Sequence, residues 1–159
     1  MGRIALVPLL LAAALAFAPP PARAEAPFVV INEFLPAPAG GNEWAELLNI
    51  GDGPAELSGW RIDDDLPANS VWAPLPAGAT LQPGERLVVE WSASLLNNGG
   101  DTIQLLAPGN VVVDSYTYGA APSEQSFARQ PDGAGTWAVG APTRGLPNSE
   151  PRRSAGYRR

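Results

Sequence analysis

Three glutamates, Glu33, Glu43 and Glu46, are the side chains best placed in this sequence to do chemistry. Glu33 lies in one run of alternating apolar and polar residues, and the other two lie in the next run along the chain. Two adjoining strands would bring their carboxylates together, as acid/base hydrolysis or a cation site requires. The interpretation we favour is structural: Glu33 and Glu46 accept backbone hydrogen bonds or pair with an arginine such as Arg61.

The densest acidic run is Asp63, Asp64 and Asp65, which Asp101 or Asn69 could extend. Calcium takes roughly six to eight oxygen ligands, and three adjacent aspartates cannot all face one ion from an extended segment. The ligand spacing of an EF-hand loop is absent. We interpret the run as a solvated acidic loop, with a weak calcium site as the alternative.

The missing residue types exclude most other catalytic chemistry. The sequence contains no His, no Cys and no Lys. A Ser-His-Asp triad, a Cys-His pair, the usual zinc ligand sets, a lysine Schiff base and a phosphate-loop lysine are therefore impossible. Thr102 and Ser115 have no base to activate them as nucleophiles. We expect a protein without enzyme activity and without a cofactor.

The five tryptophans suggest a carbohydrate platform, because an exposed indole stacks on the apolar face of a sugar. Trp60 and Trp91 lie within apolar runs and are expected in the core. Trp44 and Trp72 have polar or loop neighbours and are the better candidates for a binding surface. Core packing is the simpler interpretation for the set as a whole.

The first 24 residues have the pattern of a secretory signal peptide: Arg3, an apolar run over residues 4–18, and a small-x-small end at Ala22-Arg23-Ala24. The alternative is an uncleaved membrane anchor, for which the apolar run is short. Removal after Ala24 would leave a chain without a transmembrane segment. We expect a secreted protein that is periplasmic, cell-surface or extracellular.

Charge divides the rest of the chain into a body and a tail. Residues 25–149 contain four Arg against fifteen Asp and Glu, a formal charge of −11, which argues against a general nucleic-acid binder. Residues 149–159 are polar and basic, with arginines at Arg152, Arg153, Arg158 and Arg159, and are expected to be a disordered tail. The tail could contact nucleic acid, an anionic glycan or the cell surface.

The pattern between residues 28 and 139 is one of short strands separated by Gly, Pro and Asn turn signals, without a convincing helix. Such spacing predicts a β-sandwich or a barrel. The strands are predicted over residues 28–35, 43–50, 57–62, 70–75, 86–91, 102–106, 111–118, 126–129 and 136–139.

Eight short motifs occur in an order that resembles the lamin-tail domain of exported bacterial proteins. They are VINEF (30–34), EWAELLN (43–49), LSGW (57–60), LQPGE (81–85), LNNGGDTIQLL (96–106), VVDSYTYG (112–119), RQPDG (129–133) and GTW (135–137). The resemblance covers residues 28–148, and the family's P-G-x-x-N ending is matched only loosely at residues 142–148. It implies an immunoglobulin-like β-sandwich over residues 25–148 that binds or tethers without catalytic residues of its own.

The sequence therefore predicts a non-catalytic binding or structural module that presents loops to a protein, glycan or nucleic-acid partner. One alternative is a divalent-metal-assisted hydrolase of phosphoesters or nucleic acid that uses Glu33, Glu46 and the Asp63–Asp65 loop. Another is a calcium-stabilised, adhesin-like domain.

Overall fold

The structure of the protein is a computed structural model that describes residues 28–64, 72–92 and 94–148. The predicted signal peptide, Asp65, and the tail with Arg152 and Arg153 lie outside these described residues. Within them there is no helix, and hence none with the length and hydropathy of a membrane span.

The described strands are short and joined by tight turns. In chain order they are β1 (Val29–Leu35), β2 (Glu43–Asn49), β3 (Ala55–Glu56), β4 (Arg61–Asp63), β5 (Ala73–Pro74), β6 (Thr80–Leu81), β7 (Arg86–Trp91), β8 (Asp101–Ala107), β9 (Val111–Tyr118), β10 (Ser126–Arg129) and β11 (Trp137–Gly140).

Two antiparallel sheets form the sandwich. The five-stranded sheet has the order β11-β10-β1-β2-β7, and the four-stranded sheet has the order β5-β4-β8-β9. A two-stranded pair, β3-β6, lies beside them. Ile31, Phe34 and Leu47 from the first sheet pack with Ile103 and Leu105 from the second in one core. This arrangement confirms the all-β, immunoglobulin-like sandwich.

Phe34 is the aromatic centre of the core. Its ring is fully buried and lies 5.1 Å from that of Phe127, 5.3 Å from Tyr118 and 5.7 Å from Trp137, measured between ring centroids. These contacts join β1 to β9, β10 and β11. Burying a side chain of this size contributes about 1.5–3 kcal/mol, so the cluster supplies stability in a chain that has no disulfide.

One predicted strand, residues 57–62, is wrong in its extent. The structure has strands only at its flanks, in β3 and β4, and a turn between them in which the Trp60 amide donates to the Leu57 carbonyl. Gly59 lies in this turn with φ of +77°. That backbone conformation suits glycine and reverses the chain, so the run cannot stay extended.

A β-bulge in β1 positions the best candidate site residues. The register with β2 shifts between Ile31 and Glu33, so that Glu33 faces Glu46 directly. Val29 and Ile31 point into the core, and strict alternation would send Glu33 there as well. The bulge instead places Phe34 in the core and turns Glu33 to the outer face of the five-stranded sheet.

Candidate functional site

Glu33 and Glu46 lie side by side on the outer face of the five-stranded sheet. They are cross-strand partners of β1 and β2, and both are completely buried. The sequence prediction that two strands bring the three glutamates together is therefore confirmed for Glu33 and Glu46, whereas Glu43 binds Trp91 instead.

Residues 141–148, which follow β11, cross the outer face of the sheet above this pair; we call them the strap. The Thr143 amide donates to Glu33 Oε1 (2.8 Å) and its hydroxyl to Glu33 Oε2 (2.9 Å). The Gly145 amide donates to Glu46 Oε2 (2.7 Å). Ser126 Oγ donates to Glu33 Oε1 (2.6 Å) and Asn32 Nδ2 to Glu46 Oε1 (2.9 Å). All four carboxylate oxygens thus accept hydrogen bonds.

Asn148 fastens the end of the strap. Its side-chain amide donates to the carbonyls of Asn32 (3.0 Å) and Arg129 (2.8 Å), and its backbone amide donates to Asp132 Oδ1 (3.0 Å). Its Oδ1 also lies 2.9 Å from the Thr143 hydroxyl, whose single hydrogen is shared between this oxygen and Glu33 Oε2. The strap is consequently tied to the bulge of β1 at both of its ends.

Arg86, on β7, supplies the positive charge that faces this network. Its Nε lies 3.3 Å from Glu46 Oε1, and its Nη2 donates to Asp132 Oδ2. Burial raises the pKa of the Glu46 carboxyl above its ordinary value, and the negative charge of Glu33 adds to the rise. The hydrogen bonds from Asn32 and Gly145 and the charge of Arg86 oppose it.

The chemistry open to this carboxylate pair is limited by its partners. A metal ion or a substrate would have to displace the strap amides that already occupy the oxygens. Buried carboxylates cost several kcal/mol unless they are hydrogen-bonded or paired, and here both conditions are met. The hydrogen bonds of Glu33 and Glu46 therefore have a structural role, which is to attach the strap to the five-stranded sheet. Glu46 pairs with Arg86, whereas Arg61 pairs with Asp63 instead.

A second buried pair joins the two sheets. Asp114 on β9 lies with both carboxylate oxygens about 3 Å from Arg129 Nη2 on β10 (3.0 and 2.9 Å), and its Oδ2 also accepts from the Ile31 amide (2.8 Å). Arg129 Nε donates to the Ile31 carbonyl (2.7 Å), and its guanidinium lies 4.5 Å from the ring centroid of Trp137. Asp114 and Arg129 therefore bind the backbone amide and the backbone carbonyl of Ile31 in the bulged strand β1.

Glu43 also has a structural role. Its Oε2 accepts from Trp91 Nε1 (2.6 Å) and from the amides of Leu95 and Leu96 (both 3.0 Å). These bonds hold the segment that follows β7. With Glu33 and Glu46, all three sequence-predicted glutamates are buried and engaged in hydrogen bonds.

The aspartates proposed for calcium serve different turns. Asp63 accepts from Arg61 Nε (2.9 Å) and from the Asp64 amide (3.1 Å). Asp101 caps the turn before β8 by accepting from the Asn97 amide (2.9 Å) and the Asn97 side chain (2.8 Å). No group of three or more potential metal-ligating side chains comes together among the residues that the structure describes.

The two tryptophans proposed for a binding surface have opposite surroundings. Trp44 is only 4% exposed, because the Arg144 guanidinium lies 5.4 Å from its ring centroid and is itself paired with Glu90. Its expected surface position is therefore wrong. Trp72 is 52% exposed, in agreement with the prediction, and Arg61 lies 5.8 Å from its ring centroid.

Two polar clefts flank the loop between β1 and β2. The larger, about 350 Å³, has Trp44, Glu90, Glu124 and Arg144 in its walls, and the smaller, about 220 Å³, is lined by polar residues that include Ser92 and Asn98. In the larger cleft the charges of Arg144 and Glu90 are already paired with each other.

Comparison with known families identifies the fold. The family model of the lamin tail domain matches residues 22–120, which is more than half of the chain. The chain belongs to the lamin tail domain family. No curated protein matches it significantly. The family resemblance drawn from the eight sequence motifs is therefore confirmed.

The lamin tail domain match ends before β10, β11 and the strap. These elements nevertheless supply hydrogen-bond partners to the polar network around Glu33 and Glu46. Residues beyond position 120 supply Ser126, Arg129, Asp132, Thr143 and Asn148, which bind residues of β1 and β9. The lamin tail domain of this chain is thus completed by its last 23 described residues, 126–148.

Sequence reasoning missed the partners of the carboxylates. Arg86, Arg129, Asp114, Thr143 and Asn148 were not singled out, because each pairs with a residue far away in the chain. The available signal is the scarcity of positive charge, since residues 25–149 contain only four arginines against fifteen Asp and Glu.

Proposed function

We propose that this lamin tail domain is exported and acts as a non-catalytic binding module. The family is a non-enzymatic, immunoglobulin-like domain family, which supports a β-sandwich module of binding or structural type. The signal-peptide pattern of residues 1–24 supports export.

One observation carries the non-catalytic part of the proposal. Glu33 and Glu46 form the carboxylate pair best suited to hydrolysis, and the strap occupies their oxygens through the amides of Thr143 and Gly145. A general acid or base needs a carboxylate oxygen within reach of a substrate, usually about 2.6–3.2 Å. The pair can reach a substrate only if the strap leaves.

The test of the non-catalytic part is an assay of the chain from residue 25 to residue 159. It is incubated with a chromogenic phosphate ester and with single- and double-stranded nucleic acid, each with Mg²⁺, Mn²⁺ or Ca²⁺. We expect no turnover above that of heat-denatured protein. Turnover that needs a divalent ion and disappears in a folded Glu46→Gln variant would overturn the proposal.

Export is tested separately by expressing the full chain in a bacterial host and fractionating the cells. We expect the protein outside the cytoplasm with Glu25 as its first residue, by intact mass and N-terminal sequencing. A full-length chain that stays in the membrane fraction would contradict cleavage and favour an anchor.

A further inference from the structure

The outer face of the four-stranded sheet carries a preformed aromatic platform. Trp72 immediately precedes β5, and its indole is 52% exposed. Arg61 on β4 lies against it, 5.8 Å from the ring centroid to the guanidinium carbon. Arg61 is held in turn by Asp63 (Nε–Oδ2, 2.9 Å) and by Asn110 (Nη1–Oδ1, 3.0 Å). The exposed indole is thus placed next to a fixed side chain.

Neighbouring strands place hydrogen-bonding side chains in register beside this platform. Ile62, Ile103 and Leu105 point into the core, so the residues on either side of them point outwards. Asp63 pairs in register with Gln104, and Gln104 pairs with Ser115. Thr102 and Thr117 follow in the next row, with their hydroxyls 2.9 Å apart.

The chemistry of this face differs from that of the rest of the domain. Among the described residues of this face, Arg61 and Asp63 pair with each other, whereas residues 25–149 carry a formal charge of −11 from four Arg and fifteen Asp and Glu. Amide and hydroxyl side chains both donate and accept hydrogen bonds, as sugar hydroxyls do. An exposed indole presents an apolar surface on which the C–H face of a sugar ring can stack.

We infer that this face binds a neutral polysaccharide, with Trp72 as the stacking platform and Gln104, Ser115 and Asn110 as the groups that read its hydroxyls. The inference rests on the proposed binding function and names its ligand class. A nucleic acid or an anionic glycan would gain nothing from a neutral face on an acidic body. Val112, 48% exposed, is a further large apolar side chain on this face, so binding of a second copy of the chain is one outcome of the test.

The test is a sedimentation assay of the chain from residue 25 to residue 159 with three insoluble, uncharged polysaccharides: cellulose, chitin and a β-glucan. We expect retention on at least one of them that is insensitive to salt, because the face is neutral. Trp72→Ala should weaken retention about tenfold or more, as truncation of a central aromatic does, and Trp72→Phe should restore part of it. Leu146→Ala, at a residue 65% exposed on the strap, is the matched control and should bind like the parent.

Three outcomes would overturn the inference: no retention on any of the three polysaccharides, equal retention by Trp72→Ala, or a dimer in sedimentation equilibrium that Trp72→Ala abolishes. The last would assign the face to a second copy of the chain. Trp72 is exposed, so the substituted protein should fold, and its melting temperature verifies this. None of these outcomes touches the proposed lack of catalysis, which is assayed separately.

Discussion

Glu33 and Glu46 face each other across β1 and β2 because a single-residue bulge reverses the alternation of β1. The bulge turns Glu33 out of the core, and the strap then covers both carboxylates with the amides of Thr143 and Gly145. Glu33 and Glu46, the strongest catalytic candidates in the sequence, therefore attach the strap to the sheet. This relationship leads to the predictions that follow.

The Thr143 hydroxyl is expected to contribute measurably to the free energy of unfolding. Thr143→Ala removes the one hydroxyl hydrogen that Glu33 Oε2 and Asn148 Oδ1 share, which should cost about 1–2 kcal/mol. Chemical denaturation measures the change. Thr143→Ser keeps the hydroxyl and is the control, expected near the parent value. If Thr143→Ala were as stable as the parent, the strap would not be seated as described.

The carboxyl of Glu46 should give a specific pH dependence. Its pKa in the folded protein is raised above 4.5, chiefly by burial, so the folded state binds the proton more tightly than the unfolded state. Its contribution to stability is fully present below 4.5 and is lost as the pH rises through the folded pKa.

We therefore expect the parent to gain stability relative to Glu46→Gln as the pH falls from neutral towards 4.5. Equilibrium unfolding of both proteins at several pH values measures this difference, in which the titration of the other carboxylates cancels. A difference that stays constant, or that shrinks on acidification, would contradict the raised pKa.

The Asp114–Arg129 pair should be worth far more than the surface pair between Arg144 and Glu90. Asp114→Asn removes the negative charge of the ion pair that joins the two sheets. The guanidinium of Arg129, whose side chain is 10% exposed, then lacks its charged partner. We expect a loss of about 2–4 kcal/mol in the free energy of unfolding. Glu90→Gln, at a side chain 39% exposed, is the matched control and should cost less than about 1 kcal/mol. Equal losses in the two variants would contradict the bridging role.

Two adjacent glycines before β8 should respond differently to alanine. Gly100 has φ of +124°, and a Cβ there would lie 3.1 Å from the Tyr118 carbonyl oxygen, so Gly100→Ala should cost about 1–3 kcal/mol. At Gly99 no atom lies within 4 Å of the added Cβ and φ is not positive, so Gly99→Ala should be nearly neutral. Thermal unfolding of the two variants measures the contrast, which would be absent if the turn had another conformation.

The long strands and the turns between them followed from the sequence, because their signals are local. Two β-branched and aromatic runs around a Pro-Gly-Asn turn favour the hairpin of β8 and β9, and Asn110 adopts φ of +63° there. Pro83 followed by Gly84 favours a turn at residues 82–85, and Gly84 has φ of +80°.

The bulge and the strap did not follow from the sequence, because their determinants are distant in the chain. Ile31 and Phe34 are both buried in the core although they are out of phase in a regular strand, and this mismatch is the one local sign of the bulge. Thr143 and Asn148 gain their roles only when residues 110 and 116 positions earlier in the chain fold beneath them.

Isothermal titration calorimetry of the chain from residue 25 to residue 159 with Ca²⁺, Mg²⁺ and Mn²⁺ tests most directly whether the carboxylate pair serves the fold. The account predicts no saturable heat for any of the three ions and a melting temperature that EDTA does not change. Saturable one-to-one binding that is lost in a folded Glu46→Gln variant would contradict it, and would reopen Glu33 and Glu46 as a metal site.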